Sequence, residues 1–240
     1  MTAPSLKTAV VAGVGPGLGA ALVRRFVAGG CRTAMLARSG DYLATLAAEL
    51  PDGMTRPVPA DLTDASSVQA AIRKAAADLG PIDLLVCHAS HSLGEGLMDT
   101  TPEEFEHSWR VAAGGAFLCC QGVAPGMIER GSGVILFTGA TSSVRGREGA
   151  VGFSAAKFAV RGLAGSIARE LGPRGIHVAH VIIDGVIDLP DDHPKGAPPD
   201  GESTLDPDDI AESYWMLAHQ PRSAWSSEID LRPHDEKFFE

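Results

Sequence analysis

Short β-branched and aliphatic runs alternate with amphipathic helical segments along almost the whole chain. The first run, TAVVAGV at residues 8–14, precedes a segment whose apolar residues recur with the period of a helix. Parallel strands need crossover helices between them, so this alternation predicts an α/β fold with a doubly wound parallel sheet and helices on both faces. We find no linker or internal repeat, and therefore expect a single domain over residues 1–240.

The predicted elements follow one another in a regular order. Strands are expected at 8–14, 33–38, 55–60, 82–89, 133–139, 177–184 and 227–231, and the later helices at 41–50, 65–80, about 102–130, 153–171 and 208–217. One segment breaks this order. Residues 186–204 are rich in Pro, Asp and Gly and have no apolar period. We interpret them as a substrate-side loop that overhangs the ligand crevice.

Composition narrows the classes of partner. Thirty acidic and twenty basic residues give a net charge of −10, and no run of Lys and Arg could follow a phosphate backbone, so we expect no nucleic acid partner. The N-terminus lacks a cleavage pattern, and no stretch approaches the roughly 20 apolar residues of a membrane span, which favours a cytoplasmic protein.

The four cysteines form no CxxC pair, so we expect reduced, buried thiols and no metal site.

A glycine-rich turn joins the first strand to the first helix. In GVGPGLG, residues 13–19, glycine lets the backbone approach a pyrophosphate whose charge the helix N-terminus favours. The motif alone is weak, but its place between a strand and an amphipathic helix is the context that supports it. We predict a dinucleotide-binding turn formed by Gly13, Gly15, Pro16, Gly17, Leu18 and Gly19.

The end of the second predicted strand bears on the choice of cofactor. Sites that take a free ribose 2′-hydroxyl usually have a carboxylate here, whereas sites that take a 2′-phosphate have an Arg nearby. This chain has Arg38 and Ser39, which favours NADP(H) over NAD(H). The alternative is that Arg38 is a solvated surface residue. Asp41 is close enough in sequence to pair with Arg38, or it could instead cap the next helix.

Asp61 follows the third predicted strand, where an adenine ring would lie. It precedes a helix together with Thr63 and Asp64, and any of the three could cap that helix. Both interpretations of Asp61, as a cofactor contact and as a helix cap, stay open at this point.

With the glycine turn, ADLTD, IDLLVCHAS, GVILFTGATSSVRG and FSAAK in this order, the chain resembles the short-chain dehydrogenase/reductase family over essentially its full length. The resemblance implies a Rossmann-type domain, a nicotinamide cofactor, a small-molecule substrate, hydride transfer to or from a carbonyl or alcohol, and a homodimer or homotetramer. It also implies contacts to the cofactor from Leu62, Ala89 and Ile187.

The family usually carries an Asn-Ser-Tyr-Lys tetrad. By resemblance, Lys157 matches the Lys, but Phe153 stands at the Tyr position and Ala112 at the Asn position. The Ser falls at Ser143, at an unusually short interval before Phe153, and Ser142 is the alternative. Further departures are CHAS at 87–90, where the family has NNAG, and Asp184-Gly185, where it has PG.

A phenyl ring cannot donate the proton that carbonyl reduction needs, and losing a general acid typically costs about 10² to 10⁴ in rate. One interpretation is that Lys157 still binds the nicotinamide ribose; a Lys whose stem lies along an apolar helix face is the alternative. A second is that His91, beyond the fourth strand, supplies the proton; an ordinary loop histidine is the favoured alternative, because one His without a known neighbour is weak evidence. We predict an NADP(H)-dependent oxidoreductase with non-standard proton delivery, or alternatively an NADP(H)-binding protein without carbonyl turnover.

Overall fold

A seven-stranded parallel sheet forms the centre of the protein. In the computed structural model, which describes residues 6–91, 96–189 and 203–235, the strand order is β3-β2-β1-β4-β5-β6-β9 and every pairing is parallel. These strands are β1 Thr8–Ala12, β2 Arg32–Ala37, β3 Thr55–Pro59, β4 Leu84–Cys87, β5 Gly133–Thr138, β6 Ile176–Ile183 and β9 Glu228–Leu231. The predicted doubly wound α/β fold is confirmed.

Helices cover both faces of this sheet. They are α1 Leu18–Ala28, α2 Gly40–Ala48, α3 Ala65–Leu79, α4 Pro102–Trp109, α5 Gly115–Arg130, α6 Val151–Leu171 and α7 Pro207–Ala218. The helices α1, α2 and α7 bury one apolar cluster against the sheet, and α3, α5 and α6 bury the other. Strands such as β5 and β6 are buried along their full length, as expected where helices cover both faces.

The long helix predicted at about 102–130 is interrupted by one wide turn. α4 and α5 are joined through the π-helical residues Arg110–Gly114. The stretch Pro102–Arg130 is long and apolar enough to cross a membrane by length and composition, with a mean hydropathy of 1.5 over one window. The expectation that no stretch approaches the length and composition of a membrane span was wrong for these residues. Within the protein 44% of that window is buried, and a helix packed against a sheet acquires the same apolar composition.

The segment predicted as a loop at 186–204 contains two short strands at its ends. β7, Val186–Ile187, pairs in parallel with β8, Thr204–Leu205. Residues 190–202 lie outside the described part of the chain. The expectation of an entirely irregular segment was therefore wrong at its two ends, where the backbones of β7 and β8 pair with each other.

All four cysteines are free and buried. Cys31 immediately precedes β2 and belongs to the cluster that α1, α2 and α7 bury, and Cys87, Cys119 and Cys120 belong to the cluster between the sheet and α5. Burial raises the pKa of the Cys31 thiol to about 11. The prediction of buried thiols is confirmed.

Candidate functional site

The glycine turn brings the end of β1 against the end of β4. Gly13 has a φ of 105°, and a Cβ there would lie 2.4 Å from the backbone nitrogen of Ala89, so a side chain would force the two strands apart. Gly17, with a φ of 87°, caps the N-terminus of α1. A Cβ on Gly15 would meet nothing within 4 Å, so this backbone is open to a ligand. Leu18, in contrast, buries its side chain in the core.

A cavity of about 300 Å³ opens beside this turn at the carboxyl edge of the sheet. It lies where the strand order reverses between β1 and β4, which is the usual ligand position in such sheets. Its lining comes from the ends of four strands and from α4, namely Gly13, Val14, Gly15, Ala37, Arg38, Ala60, Asp61, Leu62, Thr63, His88, Ala89, Ser90, His91, His107 and Val111.

Arg38 reaches this cavity from the end of β2. It is exposed and forms no hydrogen bond or ion pair with a described residue. Ser39, not Asp41, is the N-cap of α2, and its hydroxyl accepts a hydrogen bond from the Tyr42 N–H at 3.3 Å. The described contacts therefore include no ion pair between Arg38 and Asp41, and Arg38 lines the cavity instead.

Asp61 combines a local structural contact with a place in the cavity. Its Oδ1 accepts hydrogen bonds from the backbone N–H of Thr63 at 2.9 Å and from the Thr63 hydroxyl at 2.7 Å. These bonds, with smaller contributions from Arg38 and His107, hold the pKa of Asp61 below its ordinary value. The N-cap of α3 is Asp64. Asp61 is therefore a cavity carboxylate that also stabilises its own turn.

His91 meets a second histidine that the sequence analysis missed. The ring of His91 lies edge-on to that of His107, with 4.8 Å between ring centroids and an interplanar angle of 76°. His107 comes from the last turn of α4, and both rings line the cavity. His107 is far from His91 in sequence and sits in a helix, so only the packing of α4 over the sheet reveals the pair.

A chain of polar groups runs from the cavity into the core. The Nδ1 of His88 lies 3.3 Å from the hydroxyl of Thr138, which lies 2.7 Å from the hydroxyl of Tyr214. Tyr214 is fully buried. Burial, assisted by the ammonium of Lys157, lowers the pKa of His88 to about 4, so the imidazole is neutral near pH 7.

Lys157 turns inward. Its side chain is 3% exposed, and its Nζ donates a hydrogen bond to the backbone carbonyl of Thr138 at 2.9 Å. The same Nζ lies 5.5 Å from the centroid of the Phe153 ring, within the range of a cation–π contact. Burial lowers the pKa of Lys157 to about 8. The described lining of the cavity does not include Lys157.

The serines after β5 are buried. The hydroxyl of Ser143 accepts a hydrogen bond from the Ala140 N–H at 3.0 Å and closes a short helical turn, Thr141–Ser143. The hydroxyl of Ser142 is also buried and has no hydrogen-bond partner among the described residues. Neither side chain belongs to the cavity lining, so the structure does not bring Ser143 together with His91.

A buried carboxylate lies under the loop that follows these serines. Asp184 accepts a hydrogen bond from the Thr141 hydroxyl and is approached by Arg145 at 3.8 Å and by Arg232 at 3.9 Å. Ile187 is half-buried against the core beside α1 and α7, in the short β7 strand.

Comparison with known proteins bears on this arrangement. The family model described as short chain dehydrogenase matches residues 7–190. A 3alpha-hydroxysteroid dehydrogenase of Mediterraneibacter gnavus is 32% identical over 235 residues, covering 93% of this chain and 94% of that protein.

Solved structures of the same family are similar to this chain over almost its whole length. A short-chain dehydrogenase from Rhodopseudomonas palustris superimposes with a TM-score of 0.82 at 33% identity, over 96% of this chain and 100% of that one. An alcohol dehydrogenase from Thermococcus sibiricus, complexed with 5-hydroxy-NADP, gives a TM-score of 0.87 at 25% identity, over 97% and 99% of the two chains. The chain belongs to the short-chain dehydrogenase family, whose members are oxidoreductases that bind nicotinamide cofactors.

Proposed function

We propose that this protein is a cytoplasmic NADP(H)-dependent oxidoreductase that acts on a small carbonyl, alcohol or activated alkene, with a proton delivered by a group other than a tyrosine. The observation that carries the proposal is the cavity, in which the open backbone of Gly15, the guanidinium of Arg38 and the carboxylate of Asp61 converge from the ends of three strands. Each of these groups suits a different part of a dinucleotide.

The cofactor residues divide by the part of the dinucleotide that they would hold. The turn from Gly13 to Gly19 would receive the pyrophosphate at the N-terminus of α1. Arg38 and Ser39 would bind a 2′-phosphate, because Arg38 has no described ion-pair partner and a guanidinium matches phosphate geometry. The remaining contacts would come from Asp61, Leu62, Ala89 and Ile187.

The reacting centre would lie beside the cavity, where His88 of the lining contacts Thr138 and Lys157 binds the carbonyl of that residue; Lys157 and Ser143 themselves are outside the described lining. A bound nicotinamide supplies or accepts a hydride at the substrate carbon. Lys157 is placed by α6 and held by the Thr138 carbonyl, which leaves its other N–H groups for the ribose or the substrate. The Ser143 hydroxyl accepts a hydrogen bond from the Ala140 N–H and keeps its own proton, which it could donate to a substrate oxygen.

His91 is the candidate donor that lies in the cavity itself. Its ring lines the cavity and contacts the ring of His107, and imidazole is a common general acid in enzymes. We propose His91 as the general acid on this basis, with His107 beside it.

A second candidate function has specific support as well. Lys157 is buried under Phe153, and both Ser142 and Ser143 are buried, so the polar groups of the reacting centre point into the protein. This arrangement favours a protein that binds NADP(H) without turning over carbonyl substrates.

Calorimetric titration with NADPH and NADH, followed by a substrate panel on the same sample, separates the two candidates. The panel should contain ketones, aldehydes and enones, and also hydroxysteroids and ketosteroids, because one relative is named a 3alpha-hydroxysteroid dehydrogenase. We expect NADPH to bind more tightly than NADH and to be consumed. Tight binding without consumption across the panel would favour the second candidate.

Arg38→Ala tests the cofactor preference. Loss of a charged hydrogen bond to phosphate costs about 1.5 to 3 kcal/mol, so NADPH should bind roughly 10- to 100-fold more weakly while NADH binding changes little. Arg32→Ala is the matched control, because Arg32 is an exposed Arg at the opposite end of β2. Equal losses for NADPH and NADH in Arg38→Ala would contradict the proposed preference.

A further inference from the structure

His180 is a buried histidine that the proposed chemistry has not yet used. It lies on β6 and is 2% exposed, and its Nδ1 is 3.0 Å from Oε2 of Glu228 on β9. Glu228 is about one-third exposed and also accepts two hydrogen bonds from Arg161 of α6, each at 2.7 Å. One nitrogen of this ring is therefore connected through a carboxylate to the solvent.

The other nitrogen lies beside the residue that follows β5. The Nε2 of His180 is buried and has no hydrogen-bond partner among the described residues. It faces Gly139, where a Cβ would lie 2.3 Å from that nitrogen, so any other residue at this position would displace the ring. A buried imidazole nitrogen without a partner is uncommon, because burial removes its hydrogen bonds to water and nothing replaces them.

Lys157 approaches the same peptide unit. Its Nζ donates to the carbonyl of Thr138, and that carbonyl belongs to the peptide that joins Thr138 to Gly139. An ammonium has three N–H donors, and this bond uses one of them. The ammonium is close enough to His180 to lower the pKa of the imidazole, although burial is the main cause of that lowering and Glu228 opposes it.

The charged groups around His180 come from two elements. Lys157 and Arg161 face it from α6, and Glu228 faces it from β9. An unsatisfied imidazole nitrogen and unused ammonium protons at one peptide are the kind of polar groups that a buried water connects.

We propose that Glu228, His180 and Lys157 form a proton path from solvent to the reacting centre, with Lys157 as the last donor in the path. The inference rests on the proposed oxidoreductase function and names a second candidate for the acid besides His91. It places the supply of protons on the α6 side of the sheet, where Phe153 cannot contribute one.

The proton balance is simple. When hydride reaches the substrate carbonyl carbon, the π electrons of the carbonyl move to its oxygen, which takes one proton from the ammonium of Lys157. The neutral amine then takes the proton on Nε2 of His180 through the bridging water, while Nδ1 takes a proton that solvent has delivered to Glu228. His180 now carries its proton on Nδ1, and a half-turn of the imidazole ring restores the Nε2–H form. One proton is taken from solvent for each carbonyl reduced, and the protein returns to its starting state.

Substitution of His180 tests the path under turnover. In His180→Asn and His180→Ala we expect NADPH consumption at pH 7 to fall at least tenfold while NADPH binding stays within twofold of wild type. Added imidazole should restore part of the rate in His180→Ala, which a purely structural role would not allow. Thermal melting of both variants checks that they are folded.

His177→Phe is the matched control. His177 is another buried histidine on β6, but its ring stacks on Trp225 and its Nε2 lies 2.9 Å from the backbone carbonyl of Ser226, away from Gly139. We expect this variant to keep the wild-type pH profile. His180 variants with wild-type rates and an unchanged pH profile would overturn the proposal.

A titration without substrate separates this proposal from the proposed function. Nuclear magnetic resonance of labelled histidine in the full protein should show that Lys157→Met raises the pKa of His180, since removing the ammonium removes a charge that opposes imidazole protonation. If wild type binds NADPH but consumes none, the oxidoreductase proposal fails while this titration still decides whether the two groups interact. If the pKa of His180 is the same in Lys157→Met as in wild type, the proposed proton path is wrong.

Discussion

At the scale of single residues, a phenyl ring next to Lys157 changes what the lysine can contact. In a site with a phenol, the ammonium has a titratable neighbour. Here the neighbours are the Thr138 carbonyl and the face of Phe153, and the side chain is almost fully buried. A carbonyl and a ring compensate only part of the hydration that a buried cation loses, so its pKa falls to about 8.

The lowered pKa of Lys157 has a consequence for stability. Between pH 8 and about 10.5 the unfolded chain binds more protons at this lysine than the folded protein does. The contribution of Lys157 to the free energy of unfolding therefore rises with pH across that window. We predict that the difference in unfolding free energy between wild type and Lys157→Met changes by about 3 kcal/mol over the window, in favour of wild type at high pH. Urea unfolding at pH 8 and pH 10.5 measures it.

Lys74→Met is the control for this measurement. Lys74 is exposed on α3 and pairs with Asp78 at 3.0 Å, so its ammonium remains in contact with water in both states. We expect no comparable change with pH. A pH-independent difference for Lys157→Met would mean that the lysine is solvated in the folded protein.

At the scale of elements, α4 positions one wall of the cavity. It starts with a capping box in which Thr101 and Glu104 exchange hydrogen bonds, and it ends in the wide turn Arg110–Gly114 before α5. His107 lies in the last turn of α4, so the place of its ring beside His91 depends on how this helix begins and ends.

Thr101→Ala should weaken the start of α4. Loss of an N-cap hydroxyl costs about 1 kcal/mol, and the lost stability should appear in chemical unfolding together with weaker NADPH binding, since α4 lines the cavity. Thr101→Ser keeps the capping oxygen and should retain most of the stability. Equal destabilisation by Ala and by Ser would show that the methyl group, not the cap, stabilises the helix.

At the scale of the whole molecule, large apolar side chains remain exposed on three successive helices. Phe105 and Trp109 of α4, Phe117 of α5 and Phe158 of α6 are each 42% to 48% exposed. These helices all lie on one side of the sheet. Exposed aromatic groups of this kind mark contact surfaces more often than isolated exposed residues do. They support the proposal of a homodimer or homotetramer.

The double variant Phe117→Asp/Phe158→Asp tests that assembly. Two carboxylates on the apolar surface would oppose its burial between copies, so light scattering after size-exclusion chromatography should give a mass near that of one 24.9 kDa chain. Met216→Asp is the control, because Met216 is exposed on α7 across the sheet. A wild-type protein that is already monomeric would contradict the proposal.

The alternation of strands and helices, the glycine turn and the apolar periods determined the parallel sheet and the position of its ligand crevice. Both depend on residues close together in sequence, where backbone geometry and side-chain period act directly. The short β7 and β8 pair escaped prediction because two-residue strands have no period to detect.

Only the tertiary structure decided which side chains meet. His91 with His107, His88 with Thr138 and Tyr214, and His180 with Glu228 are each joined across large separations in sequence. The inward turn of Lys157 and the burial of Ser143 were likewise decided by packing, because a local sequence pattern sets the face of a helix but not the depth at which its side chains end.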